Sequence, residues 1–251
     1  EAWAQPKAGW IVVFGILAAF FALVASYHSF SLPRPQADAM RSPRSASDTL
    51  REFVETFVSF FRKPEAGIAI LFMLLYRLPE AQLVKMITPF MLDPVENGGL
   101  GLSADQVGIV YGTVGVIGLM LGGIVGGLVA ARNGLRPWLH PMAWSMSLTC
   151  LTFVYLAYIQ PSAIWEVYVC VFVEQFGYGF GFTAYMLYLI YFSNGRFKTA
   201  HYSICTGFMA LGMMLPGMAA GWLQETMGYV NFFWWVMGCC IVTIAVTAFI
   251  K

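Results

Sequence analysis

The chain has 251 residues, of which 59% are hydrophobic and 11% charged, and its mean hydropathy is +0.70. That composition excludes a soluble globular domain, and a formal net charge of +1 gives no ground for expecting a nucleic-acid partner. The cysteines Cys150, Cys170, Cys205, Cys239 and Cys240 all fall inside apolar runs, so neither a disulfide framework nor a metal site is expected, and no cofactor motif is present.

The chain begins at Glu1 rather than Met and stops directly after an apolar run, so it reads as a piece of a longer polypeptide. Hydropathy and helix breakers predict an all-α membrane protein with seven transmembrane helices, at Gly9–Leu32, Ala66–Leu92, Ala104–Ala131, Pro137–Ile159, Ala163–Phe192, Thr199–Gln224 and Val230–Lys251. Basic residues sort by connection. The first carries Arg34, Arg41, Arg44, Arg51, Arg62 and Lys63, the third Arg132 and Arg136, the fifth Arg196 and Lys198. The second, fourth and sixth carry no Lys or Arg, which predicts an amino end outside and a carboxy end in the cytoplasm.

Residues 33–65 form the single long connection. Its first part is rich in Pro, Ser and Arg and reads as a linker. The stretch SDTLREFVETFVSFFRK then places Leu50, Phe53, Val54, Phe57, Val58, Phe60 and Phe61 mostly on one helical face, which predicts an amphipathic helix along the membrane surface.

The second span, AGIAILFMLLYRLPEAQLVKMITPFML, is long enough to cross a bilayer, which takes about 20 residues. Yet it carries Arg77, Glu80 and Lys85, and each ionised group at bilayer depth costs about 2.5–3.5 kcal/mol on insertion scales. Pro79 removes a backbone donor at the same level. Structural ion pairs would account for these groups, with Lys85 reaching the surface. A water-accessible, polar-lined cavity that handles a solute accounts for them as well, and this second reading is the more specific.

The third span opens with Ser103 and Gln106 in a capping-box pattern. It continues with Gly108, Gly112, Gly118, Gly122 and Gly126, a spacing that predicts close helix packing. The fifth span carries Glu174 about 16 Å from its outer end at 1.5 Å per residue. Glu174, Tyr178, Gly181, Tyr185 and Tyr188 share one face of it. Gly207, Gly212, Gly217 and Gly221, with Pro216, predict close packing and a kink in the sixth span, and the seventh reads as a supporting wall. His28, His140 and His201 fall near helix ends and read as interfacial packing.

Alternating loop charge, a long central connection and a charged helix after it resemble the major facilitator superfamily. The stretch GGLVAARNGLRP is similar to that superfamily's G-x-L-x-D-R-x-G-R-[RK] loop motif, with Gly127, Arg132, Gly134 and Arg136 matching, while Val129, Ala131 and Leu135 depart from it. The stretches LREFVETFVSFFRKPEAG, YRLPEA and AGWLQETMGYVNFF more closely resemble the AmpG-type muropeptide permeases and their relatives, which include acetyl-CoA transporters. This resemblance covers most of residues 48–235.

The resemblance implies that residues 1–32 are the last helix of an amino-terminal half, 33–65 a cytoplasmic linker, and 66–251 a six-helix carboxy-terminal domain of two inverted three-helix repeats. It further implies a secondary active transporter of the bacterial inner membrane that takes up a sugar–peptide solute with protons by alternating access. On that basis Arg77, Glu80, Tyr178 and Tyr185 would contact solute, Glu174 and Glu80 would couple protons, Lys85 would attract solute at the entrance, and Gly127, Arg132, Gly134 and Arg136 would form a gating loop. The expected partners are a small solute, protons, the lipid bilayer and the amino-terminal half. The alternatives are a carrier of another solute, such as a sugar or CoA derivative, and a non-transporting sensor or receptor. A retinal protein is disfavoured because Val230–Ile250 contains no Lys, and an enzyme because no spacing gives a nucleophile–base pair.

Overall fold

The computed structural model describes residues 6–33 and 45–250, and among these the chain is helical without any strand. Arg34, Arg41, Arg44, the linker over 34–44 and Lys251 lie outside the described residues. The chain divides into two compact units at Arg51/Glu52. The first contains α1 (Pro6–Ser31), which is apolar on every side, as a helix surrounded by lipid must be. Among the described residues, five helices are long and apolar enough to cross a membrane: Ala8–Ser31, Ala66–Leu92, Ala104–Asn133, Arg136–Ile159 and Lys198–Ala248. The protein is an integral membrane protein.

The second unit begins within α2 (Ala46–Phe61). Phe60 is fully buried and packs its ring against Phe192, His201 and Phe208. Nε2 of His201 lies 3.2 Å from the Thr56 carbonyl and 3.1 Å from Ser59 Oγ, and Glu55 pairs with Arg196 at 2.9 Å. Just beyond, Lys63 donates to the carbonyls of Phe192 and Asn194. Partial burial there lowers the affinity of its amine for a proton. The amphipathic segment is therefore fastened at its carboxy-terminal half to the helices that follow.

The second span is two helices, α3 (Ala66–Leu75) and α4 (Leu78–Leu92), broken at Tyr76–Arg77. Pro79, in the first turn of α4, has no N–H to return to the preceding turn, which is the local cause of the break. Three side-chain bonds pin it. Thr243 Oγ1 donates to the Tyr76 carbonyl at 2.9 Å, Tyr76 Oη to Gly181 O at 3.0 Å, and Tyr185 Oη to Met73 O at 2.7 Å.

The third span starts with α5 (Ala104–Ile109), whose capping box between Ser103 and Gln106 is formed. A π turn over Val110–Gly115 follows, and then α6 (Val116–Asn133). The fourth consists of α7 (Arg136–Leu148) and α8 (Leu151–Ile159), the fifth of α9 (Ile164–Ser193), and the rest is α10 (Lys198–Ala248). Gly228 interrupts α10 with φ 73° and ψ 167°, a conformation that suits glycine. The two legs of α10 run in opposite directions, as their contacts with α3 and α4 require. On the first leg Gly212 meets Leu74 and Gly217 meets Ala81, so numbers rise together. On the second Phe233 meets Phe90, Trp235 meets Gln82 and Thr243 meets Tyr76, so they run oppositely.

Glycine brings α6 and α9 to backbone contact. A Cβ at Gly122 would lie 2.1 Å from Phe176 O, and one at Gly179 would lie 2.2 Å from Leu119 O. Gly118 and Gly126 lie on the same seam, whereas Gly108 and Gly112 meet nothing within 4 Å. On its other side α9 packs Gly177 and Gly181 against Thr149, Met142 and Met146. The connections without basic residues meet at one end of this unit: Gln160 donates to Gly99 O at 3.0 Å and Tyr229 to Asp93 at 2.6 Å. Lys63, Arg196 and Asn194 meet at the other end.

The seam gives a direct test. Gly122→Ala should destabilise the protein by about 1–3 kcal/mol, the range for overpacking a tight interior. Gly123→Ala, facing open space, should leave thermal unfolding in detergent unchanged. Equal unfolding temperatures for the two variants would mean that α6 and α9 do not meet along this seam.

Candidate functional site

The break in the second span places Arg77 at the N-cap of α4, where its backbone adopts φ −101° and ψ 17°. The residue is only 8% exposed. Its Nη2 donates to Tyr178 Oη, and the guanidinium carbon lies 4.6 Å from the ring centre of Phe182 and 5.4 Å from that of Tyr178. A cation over desolvated aromatic faces gains about 2 kcal/mol or more. Nε of Arg77 is buried without a hydrogen-bond partner.

Two buried carboxylates share this part of the bundle, and Arg77 acts electrostatically on one of them, Glu80. Glu80, one turn along α4, is 2% exposed, and Glu174 on α9 is 1% exposed. Each acts on Tyr178 electrostatically, as does Arg77, and Glu80 also acts on Glu174. Gln175 Nε2 donates to Glu174 at 2.8 Å. No carboxylate lies within 4 Å of Arg77 among the described residues, and the tyrosine hydroxyl holds the guanidinium.

The other expected site residues are dispersed. Tyr185 is fully buried one turn beyond Phe182, stacked on Tyr76 and Phe72, and its hydroxyl is taken by Met73. It supports the break in the second span, stacks on Phe182 and lies within the electrostatic reach of Arg77 without a hydrogen bond to it. Lys85 is exposed, with its methylenes against Gly217. Gly127, Arg132, Gly134 and Arg136 lie around the α6–α7 junction, where Gly134 adopts φ 79°. Neither group touches Arg77, Glu80 or Glu174.

Two features beside the carboxylates escape sequence reasoning. Tyr111, in the π turn, faces Glu174, Glu80 and Tyr178 and adjoins Gln175. A single extra residue in a helical turn re-aims a side chain, and π turns concentrate at functional sites, but no residue pattern marks one in advance. Gln82 accepts from Trp235 Nε1 at 2.8 Å and donates to Leu78 O at 3.2 Å. Its isolation in an apolar helix was the available signal.

A buried cation, paired aromatic faces and two carboxylates thus form a polar cluster inside a helical bundle. No family model matches the chain. The chain is similar to AmpG-type permeases. Transporter AmpG 2 of Rickettsia prowazekii is 26% identical over 190 residues, 76% of this chain and 45% of that protein. The anhydromuropeptide permease of Escherichia coli K12 is 24% identical over 225 residues, 90% of this chain and 44% of that protein. Transporter AmpG 4 of Rickettsia conorii is 25% identical over 189 residues. The chain spans about half the length of the curated relatives it matches, and these relatives are permeases and transporters, not enzymes.

Tyr178→Phe deletes the acceptor of a buried guanidinium, and a group so stranded costs about 1–3 kcal/mol. Thermal unfolding of the variant in detergent should show that loss. An unchanged unfolding temperature would mean that Tyr178 does not hold Arg77.

Proposed function

We propose that the chain is the carboxy-terminal part of a proton-coupled transporter that takes up a small sugar–peptide solute of the muropeptide class by alternating access. The observation that carries this reading is the buried Arg77, held between Tyr178 and Phe182 with Glu80 beside it and Glu174 acting on the same Tyr178. Resemblance to permeases over most of the chain supports it. Since the relatives are about twice as long, the remaining wall of the cavity belongs to an amino-terminal half.

In this proposal the membrane is crossed seven times: by α1, by the four runs from α3 to α9, and by each leg of α10. At 30 residues α9 is long enough, and the reversal at Gly228 supports counting α10 twice. The last six crossings form two inverted three-helix units. Supporting this, α3–α4 lies against a parallel neighbour, the first leg of α10, and an antiparallel one, the second leg. In the same way α9 lies between the parallel α6 and the antiparallel α7. The end bearing Lys63, Arg132, Arg136 and Arg196 faces the cytoplasm of a bacterial inner membrane. A cysteine at position 97 should then react with an impermeant thiol reagent from outside, and one at position 194 only after permeabilisation. The reverse pattern would invert the orientation.

Arg77 binds an anionic group of the solute, such as a peptide carboxylate, because its guanidinium keeps its charge at any physiological pH and offers a planar donor fork. Glu174 carries the coupling proton, while Glu80 lies beside Arg77 on its own helix. Protonating Glu174 lowers the negative charge competing for Arg77 and so favours the solute anion. Tyr178 turns between holding Arg77 and contacting the solute. Lys85 raises the local concentration of anionic solute at the outer entrance.

Reconstituted as the full-length protein, Glu174→Gln should lose accumulation driven by a proton gradient while still exchanging solute across an unenergised membrane. Arg77→Ala should weaken solute affinity by roughly tenfold or more, since hydrogen bonds to charged groups contribute about 1.5–3 kcal/mol. Wild-type accumulation by the first variant would remove Glu174 from coupling. Unchanged affinity in the second would remove the anion site.

A further inference from the structure

Away from Arg77, at the basic end of the second unit, two cavities of about 550 and 420 Å³ adjoin and share Tyr188, Tyr191 and Ile250. Arg136 and His140, one turn apart on α7, line the larger. Lys63, Glu65 and Asn194 line the smaller, where Glu65 is the single carboxylate among the described residues lining either cavity. The Lys63 ammonium is already engaged by the Phe192 and Asn194 carbonyls. Arg136, by contrast, makes no ion pair within 4 Å among the described residues.

The surroundings of Arg136 and His140 are amphipathic. Leu135, Leu139 and Ile250 form an apolar wall of the larger cavity. The face of α7 that carries His140 continues one and two turns on as Trp144 and Leu148, which are 47% and 50% exposed. Tyr191, 74% exposed, stands at the rim. Here α7 begins, α9 ends and the second leg of α10 ends, which sets the level of a membrane–water interface, where tyrosine is enriched.

We infer that this cleft binds the phosphodiester head group of an anionic phospholipid. Arg136 and His140 donate to the phosphate, and an acyl chain runs along Trp144 and Leu148. A soluble phosphate ester would satisfy the two donors but leave that apolar face uncovered, so the lipid is the occupant that uses all of these features. Basic pockets between helices at a membrane face recognise lipid head groups in this manner. The inference needs the chain only to be an integral membrane protein and is independent of the transport reading.

The experiment uses the full-length protein in nanodiscs of phosphatidylcholine, titrated with fluorescent phosphatidylglycerol. Wild type should bind saturably; Arg136→Gln should weaken binding about fivefold, as the loss of a surface cation predicts, and His140→Gln should weaken it by the loss of one donor. Arg136→Lys should retain most of the affinity. Arg62→Gln serves as the control, because Arg62 is exposed on the connection between α2 and α3 and lines neither cavity. Undiminished binding by the Gln variants would overturn the site. An equal loss in Arg62→Gln would reduce it to diffuse charge attraction. Displacement of the lipid by glycerol phosphate at matched concentration would overturn the lipid assignment. Unfolding temperatures in pure phosphatidylcholine establish that each variant is folded before binding is read.

Discussion

A guanidinium cannot shed its proton at physiological pH, so a chain that buries Arg77 inside a helical membrane bundle must arrange the helix, the aromatic faces and the neighbouring charges around it. That constraint accounts for much of what surrounds the second span. Pro79 breaks the helix there, which frees Arg77 from a regular turn and lets its head group reach Tyr178 and Phe182 on α9. The carbonyls at the break, which lipid would leave unsatisfied, are met from two sides by Thr243 and Tyr185. A site built on a broken helix is thus held by bonds that do not involve the site residues themselves.

The positions of α6 and α9 follow from a different force. Lipid tails are as apolar as leucine, so helices in a bilayer associate through close van der Waals contact and not by hiding apolar surface. Gly118, Gly122 and Gly179 remove side chains where the two backbones touch. The same seam carries Gln175, whose amide donates to Glu174, so packing between two apolar helices also positions a partner of a buried carboxylate. Tight packing and charge placement are one problem in this protein.

The connection that precedes the second span is also more than a tether. Phe60 fills a buried pocket between Phe192, His201 and Phe208, and Lys63 caps the carbonyls at the end of α9. A helix that reads by itself as a surface element is fastened to the end of α9 and the start of α10, so a change of tilt in either would be felt along it.

Periodicity and composition alone determined that the chain is helical and embedded in a membrane, because hydrophobic runs of that length have few other stable forms. They also singled out Arg77, Glu80 and Glu174, since charge in an apolar run is costly and therefore conspicuous. Sequence could not decide which partner Arg77 takes: Glu80 is one turn away, yet the break at Tyr76–Arg77 aims the guanidinium at Tyr178. Nor could it tell the glycines on the α6–α9 seam from Gly108 and Gly112, which meet nothing. It likewise could not separate Tyr178, which touches Arg77, from Tyr185, which braces the break, although both lie on one helical face. Each of these depends on where a second helix lies, and that is set by packing between residues far apart in the chain.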